Sequence, residues 1–272
     1  MAQGGMAAVM TSGDSFESHI NDTIAVGMGL CDPAVVKQVV TGGPEAIEHL
    51  LALGAEFDKT PDGELDCSRE GGHRHARVVH ANGDATGREI QRVLTNAVTG
   101  HDLITTFSNT FALDIVTVGG EAYGVVAKAS SGNLVLFSSP NIILATGGGG
   151  QLYRETTNPT IATADGVAMA FRAGATIRDP EFFQFHPTCL YIAGAARVLI
   201  SEILRGHGGV LRDRYGKRFM HNAHPDAELA PRDVVSRAVF RQMIATKDTN
   251  VYLDLSDVDG DPHAMFPGIS KI

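Results

Sequence analysis

Ile142-Ile143-Leu144-Ala145-Thr146-Gly147-Gly148-Gly149-Gly150 is an apolar run that ends in bare backbone. A short aliphatic run of this kind reads as a buried strand. In open α/β sheets, ligands dock at the carboxyl ends of strands. Glycines placed there let backbone N–H groups approach a phosphate or a flat ring with no Cβ in the way. On the N-terminal side of this run, β-branched segments at 104–107, 111–118, 122–129 and 134–137 are broken by Gly119-Gly120 and Ser131-Gly132-Asn133. That is hairpin turn chemistry, and it predicts an antiparallel meander. On the C-terminal side, the patterns predict helices at 165–173, 199–205 and 233–246 and a strand at 251–255.

The first third reads as helical. Asp14 or Ser15 can cap a segment to about Gly29, in which Phe16, Ile20, Ile24 and Met28 recur every four positions. Asp32-Pro33 starts a second helix, and a third is expected from Pro44 to Leu53, stopping at Gly54. A polar loop rich in His and Gly follows over 59–85, and then a helix from Thr86 to about Val98. Strands and helices alternate, so the expected fold class is α/β with an inserted antiparallel piece.

Composition narrows the function. The chain has 272 residues, 43% of them hydrophobic, and 22 basic against 31 acidic residues, a formal charge of −9. That apolar content supplies a packed core and excludes disorder as the dominant state. The acidic excess and the lack of a basic run argue against nucleic acid. No apolar stretch approaches the ~20 residues that cross a bilayer, so no membrane partner is expected. Cys31, Cys67 and Cys189 lie far apart with no CxxC pair, which predicts reduced thiols and a cytoplasmic setting. His73, His75 and His80 with Glu70 have metal-ligand chemistry, but Arg69, Arg74 and Arg77 interleave them and would repel a cation, so no metal site is expected. There is no GxGxxG and no GxxxxGK[ST] motif, hence no self-contained dinucleotide or P-loop site.

Individually, the remaining motifs have ordinary readings. His186, among aromatics in Gln184-Phe185-His186-Pro187-Thr188, reads as a satisfied core histidine. Ser201-Glu202 followed by Arg205-Gly206 reads as a salt-bridged helix end. Arg232 is the exception, because a cation at a helix start opposes the macrodipole. The residues alone therefore describe an α/β protein with a Gly-lined ligand site and a basic loop suited to an anionic small molecule.

Taken in order, the motifs become specific. They are Ala2-Gln3-Gly4-Gly5, Arg69-Glu70-Gly71-Gly72-His73, His80 through Gly83-Asp84-Ala85-Thr86-Gly87-Arg88-Glu89, Ala145-Thr146-Gly147-Gly148, Thr157-Asn158-Pro159 with Asp165-Gly166, Gln184 through Thr188, and Leu229-Ala230-Pro231-Arg232-Asp233. This series resembles the flavoprotein family of L-aspartate oxidase and the succinate dehydrogenase and fumarate reductase flavoprotein subunits, and it runs from Ala2 to about Leu255. Within that family the Arg69 to Glu89 stretch looks like the L-aspartate oxidases.

The resemblance implies a Rossmann-like FAD-binding domain with a β-meander over 1–180 and the start of an α+β capping domain over 181–272, both incomplete. It implies FAD-dependent oxidation of L-aspartate to iminoaspartate, with oxygen or fumarate as acceptor, in the supply of quinolinate for NAD synthesis, and quinolinate synthase as a partner. A succinate dehydrogenase or fumarate reductase type subunit is the alternative. By residue, it implies Arg232 as proton donor or acceptor, Ser201 and Glu202 in contact with substrate, His186 hydrogen-bonded to a substrate carboxylate, and Glu70 facing the amino group. Ala2, Gln3, Gly4, Gly5, Ala145, Thr146, Gly147 and Asp165 would line the cofactor. Three positions depart from the family pattern: Ala164 in place of glycine, Ser201 in place of threonine, and His207 in place of an acid. The family's GxGxxG strand would precede Ala2 and further substrate residues would follow Ile272. This leads to a third reading, a catalytically inert product that holds FAD weakly.

Overall fold

The computed structural model describes residues 3–192, 194, 197–258, 260–266 and 270. Two compact units emerge, Met1–Gly100 with Phe185–Ile272, and His101–Gln184. The expected boundary at 180/181 does not separate them, because residues 185–272 pack with 1–100.

In the first unit, β1 (Met6–Ala7) and β2 (Cys67–Ser68) flank β3 (Val78–Val79) in a three-stranded antiparallel sheet. The 59–85 segment is therefore not a free loop. Strands of two residues carry too little alternation to be read from sequence. Val78, Val79 and Ala81 are buried, and Ala8, Ile47, Ala55, Phe57, Val79, Ala81 and Val93 form one core cluster. Fully burying each Val or Ile contributes roughly 1.5–3 kcal/mol.

Helix α1 (Phe16–Val26) starts at Ser15, whose hydroxyl accepts from Ser18 N–H at 3.1 Å. It stops short of Gly29 because Met28 and Gly29 take positive φ. The second and third expected helices are one, α2 (Pro33–Ala52), capped by Asp32. Its face of Val36, Val40 and Ile47 stays in phase through Pro44. Burying that stripe outweighs the donor lost at proline. Helix α3 (Thr86–Thr99) follows the expected pattern.

The later part of this unit contains β7 (Cys189–Leu190) paired with β8 (Val198–Leu199), the one-turn helix α5 (Ile203–Gly206), β9 (Val210–Arg212) paired with β10 (Tyr252–Asp254), and α6 (Arg232–Thr246). The helix expected at 199–205 is shortened because Val198 and Leu199 pair as a strand. Leu211, Phe219, Met220, Ala230 and Val235 make a second core, which fixes the start of α6.

The second unit is the meander β4 (Phe111–Val118), β5 (Glu121–Lys128) and β6 (Leu134–Ser138), in the order β4-β5-β6, with α4 (Asp165–Arg172). Gly119 and Gly120 turn the first hairpin at positive φ. Arg172 Nε donates to Asp114 Oδ2 at 2.8 Å and ties α4 to β4. Two expected strands, 104–107 and 142–145, are irregular. Ile143 is 92% exposed, and no described strand pairs with this run. An apolar stretch becomes a strand only where a ladder partner takes its backbone groups. All strand pairings described are antiparallel, in a mixed helix and strand fold. No described helix is long and apolar enough to cross a membrane.

Candidate active site

The turn after β2 carries Glu70, the turn before α5 carries Ser201 and Glu202, and the first position of α6 carries Arg232. These groups, distant in sequence, converge within the first unit. Glu202 is buried at the centre: its Oε2 accepts from Arg232 Nε at 2.6 Å and its Oε1 from the Gly71 N–H at 2.8 Å. Position 71 must be glycine, since a Cβ there would meet Glu202 Oε1 and lie 2.9 Å from the Ala230 carbonyl. Arg232 Nη2 stands 3.7 Å from Glu70 Oε2, so one guanidinium spans two carboxylates.

Behind this pair, Arg205 is fully buried, with Nη2 3.7 Å from Glu202 Oε2 and Nη1 donating to the Glu228 carbonyl. Burial lowers the Arg205 pKa, and the Arg232 charge lowers it further, against Glu202, Glu70 and Glu228. Burial pushes the Glu70 carboxyl up, but the nearby His80 imidazole and the charges of Arg232 and His73 outweigh it and hold Glu70 below its ordinary value. Glu70 is 8% exposed, and its Oε1 is buried with no hydrogen-bond partner.

Burial pushes His186 down to about 4; the Thr188 backbone opposes this, and the Arg232 and Arg205 cations add to it. The ring is neutral at pH 7. Its Nδ1 lies 2.9 Å from the Thr188 carbonyl and 3.3 Å from the Thr188 N–H. Donation to the carbonyl leaves Nε2 an acceptor. Donation to a carboxylate therefore requires the other tautomer, in which Nδ1 accepts from Thr188 N–H. Ser201 is buried, its hydroxyl accepting from Ile203 N–H at 3.4 Å.

Arg205 and Gly71 also belong to the cluster: Arg205 fits the salt-bridged helix end expected at 201–206, and Gly71 stands in the Arg69–His73 motif with no role expected of it. The three-residue spacing from Glu202 to Arg205 on one helical turn was the available signal for Arg205. Nothing local marks Gly71.

The cofactor candidates divide between the units. In the first, Gly4 is open on its Cβ side and Gly5 lies against β3, where a Cβ would be 2.6 Å from Val78 Cγ1. Gln3 Oε1 is buried without a partner. Ala2 lies outside the described residues. In the second unit, Ala145, Thr146, Gly147 and Gly148 line a cleft of about 760 Å³ shared with Asn158 and Arg178. Gly147 has φ +75° and, like Gly148, faces open space. Thr146 packs against Gly166, where its Cβ would sit 2.8 Å from an added Cβ. Asp165 is not part of that lining; its exposed carboxylate accepts from Thr163 Oγ1 at 2.5 Å and closes its own turn.

Comparison with known proteins matches this geometry to a family. The FAD binding domain family matches residues 1–268. The L-aspartate oxidase of Streptomyces coelicolor is 45% identical over 93% of the chain and 45% of its own length, and the chloroplastic L-aspartate oxidase of rice (Oryza sativa subsp. japonica) is 46% identical over 99% and 44%. The chain thus spans about half the length of the curated relatives it matches. A solved quinol-fumarate reductase with menaquinol molecules superposes with a TM-score of 0.90 at 34% identity, covering 99% of the chain and 50% of that structure. The E. coli quinol fumarate reductase gives 0.88 at 34% identity over 97% and 47%. With its bare glycine backbone, its buried unpartnered Gln3 oxygen and this match along nearly its whole length, the chain belongs to the FAD binding domain family.

Proposed function

We propose that the protein carries out FAD-dependent oxidation of L-aspartate to iminoaspartate. The observation that carries this reading is Glu70, a buried carboxylate beside the Arg232 guanidinium, with Oε1 3.4 Å from His80 Nε2 and in no hydrogen bond. A substrate with carboxylates and one ammonium needs a cation for the first and an anion for the second. A site for succinate has no use for the anion. The similarity to curated L-aspartate oxidases supports the same substrate.

The residues present fit FAD: within the second unit the open faces of Gly147 and Gly148 admit close backbone approach. When bound, FAD supplies the two-electron acceptor for the amino acid's Cα–H bond. The chain's own residues bind and orient. Arg232 is the cation that takes a substrate carboxylate, its guanidinium fixed by Glu202. Glu70 takes the ammonium. His186 donates to a carboxylate as the Nε2–H tautomer. Ser201 lines the same buried turn as Glu202. Arginine stays charged in most settings, so proton movement at Arg232 depends on the Glu202 carboxylate 2.6 Å away.

Oxygen or fumarate serves as the acceptor, and the product feeds quinolinate synthase on the way to NAD. The three free thiols support a reducing, cytoplasmic setting. The fumarate reductase reading draws on the structural neighbours, and Glu70 separates the two. In the flavin-loaded protein, E70Q should lower kcat/KM for L-aspartate about 10–100-fold, as expected for loss of a charge-assisted bond of about 1.5–3 kcal/mol. Unchanged aspartate turnover in that variant would overturn the substrate assignment.

A further inference from the structure

His80, just after β3, is buried and stands against both Ser68 and Glu70. The antiparallel register pairs Ser68 with Val78 and Cys67 with Val79. Ser68 and His80 are therefore diagonal neighbours on one face of the ladder, within reach of a long side chain. Their side chains meet there, with Ser68 Oγ 2.8 Å from His80 Nε2. The same nitrogen lies 3.4 Å from Glu70 Oε1. His80 is 3% exposed, and its backbone carbonyl is held by the Asp58 N–H at 2.8 Å, so the ring has little freedom to leave.

The tautomer follows from charge. A proton on Nδ1 would turn the bare Nε2 lone pair toward an anionic carboxylate. A proton on Nε2 donates to the Ser68 oxygen and turns its positive edge to Glu70. The second arrangement leaves only an acceptor, Nδ1, buried without a partner, as observed. The two oxygens of Glu70 are then divided: Oε2 faces Arg232 and Oε1 faces His80.

We propose that His80, held by Ser68, is a positioning residue for Glu70, and that the preference for an amino dicarboxylate over an unsubstituted one depends on it. His80 does not touch the substrate in this scheme; it faces Glu70 Oε1 and so fixes the orientation of the carboxylate that takes the ammonium. The inference rests on Glu70 as the ammonium acceptor.

The test compares two activities of the flavin-loaded protein, oxidation of L-aspartate and reduction of fumarate, which has no amino group. H80F keeps an aromatic volume and removes the donor. It should lower kcat/KM for aspartate about 10-fold, the value of one charge-assisted bond, and change that for fumarate less than about 3-fold. H80Q, whose amide can stand in for Nε2–H, should recover most of the loss, and S68A should lose part of it. Equal losses on both substrates would reduce His80 to a structural role and overturn the proposal, as would no loss on aspartate. A second measurement needs no turnover: the ¹⁵N spectrum of the histidines should show His80 protonated at Nε2, with its shifts moved in E70Q. An Nδ1-protonated His80, or one insensitive to E70Q, would overturn it. If the wild-type flavin is reduced by succinate and not by aspartate, the substrate reading fails, and the ¹⁵N result still decides whether His80 holds Glu70.

Discussion

His186 faces two opposing demands. Burial and two neighbouring cations hold its pKa at about 4, below the ordinary histidine value, so folding favours the neutral ring. The sign follows from linkage. Its contribution is complete above the unfolded-state pKa of about 6.5 and is lost as pH falls from there through the folded value. Stability should therefore decline between pH 6.5 and 4, and H186Q should flatten that part of the profile, as read by urea denaturation at several pH values. The carboxylates with lowered values, Glu70, Glu89 and Asp14 among them, lose their contributions only below the ordinary carboxylate range, so the two effects separate. Ala164 offers a second test. It sits at φ +63°, in the left-handed region that disfavours a Cβ, just before α4. A164G should be neutral to stabilising by about 1 kcal/mol, since relief of roughly 1–2 kcal/mol offsets glycine's entropy; a lowered Tm would contradict this. At this scale the candidate site was partly legible. Glu70, Glu202 and Arg232 could be picked out by motif, but nothing local says that one guanidinium spans both carboxylates.

Among elements, α2 is the clearest case of packing overriding a local breaker. Pro44 lacks an N–H, so the Val40 carbonyl loses its donor four residues on, yet the helix continues to Ala52. P44A should restore that bond and stabilise the protein by about 1–3 kcal/mol in urea denaturation. The link between α1 and β3 is the reverse case, invisible in sequence and strong in structure. Arg77 is fully buried; its Nε and Nη2 bond Asp14 at 2.7 Å and its Nη1 bonds Asp22 at 2.8 Å. Asp22 Oδ2 also accepts from the Arg74 N–H at 2.9 Å, which anchors the segment that carries Glu70. R77M leaves the buried Asp14 carboxylate without its ion-pair partner, while Asp22 keeps Arg74 Nε at 2.9 Å, and should destabilise by about 3–5 kcal/mol. The meander was legible because eight-residue strands between glycine turns show their period. The 59–85 segment was not, because its strands are two residues long and its order comes from ion pairs and burial. The 142–145 run was read as a strand on apolarity alone, and apolarity does not supply a ladder partner.

For the molecule as a whole, the fold class and the family were legible from the order of motifs along nearly the whole chain, whereas the partition into compact units was not. Residues 185–272 pack with 1–100, where the Gly71 N–H bonds Glu202 Oε1 at 2.8 Å and Arg232 Nη2 stands 3.7 Å from Glu70 Oε2, contacts between distant residues that no local pattern encodes. That packing brings Glu202 and Arg232 to Glu70, and the central claim, that this cluster selects L-aspartate, depends on it. Anaerobic titration of the flavin-loaded protein with L-aspartate, beside an equal titration with succinate, tests that claim most directly. The account predicts bleaching of the flavin absorbance by aspartate and little change with succinate. Bleaching by succinate with none by aspartate would contradict it.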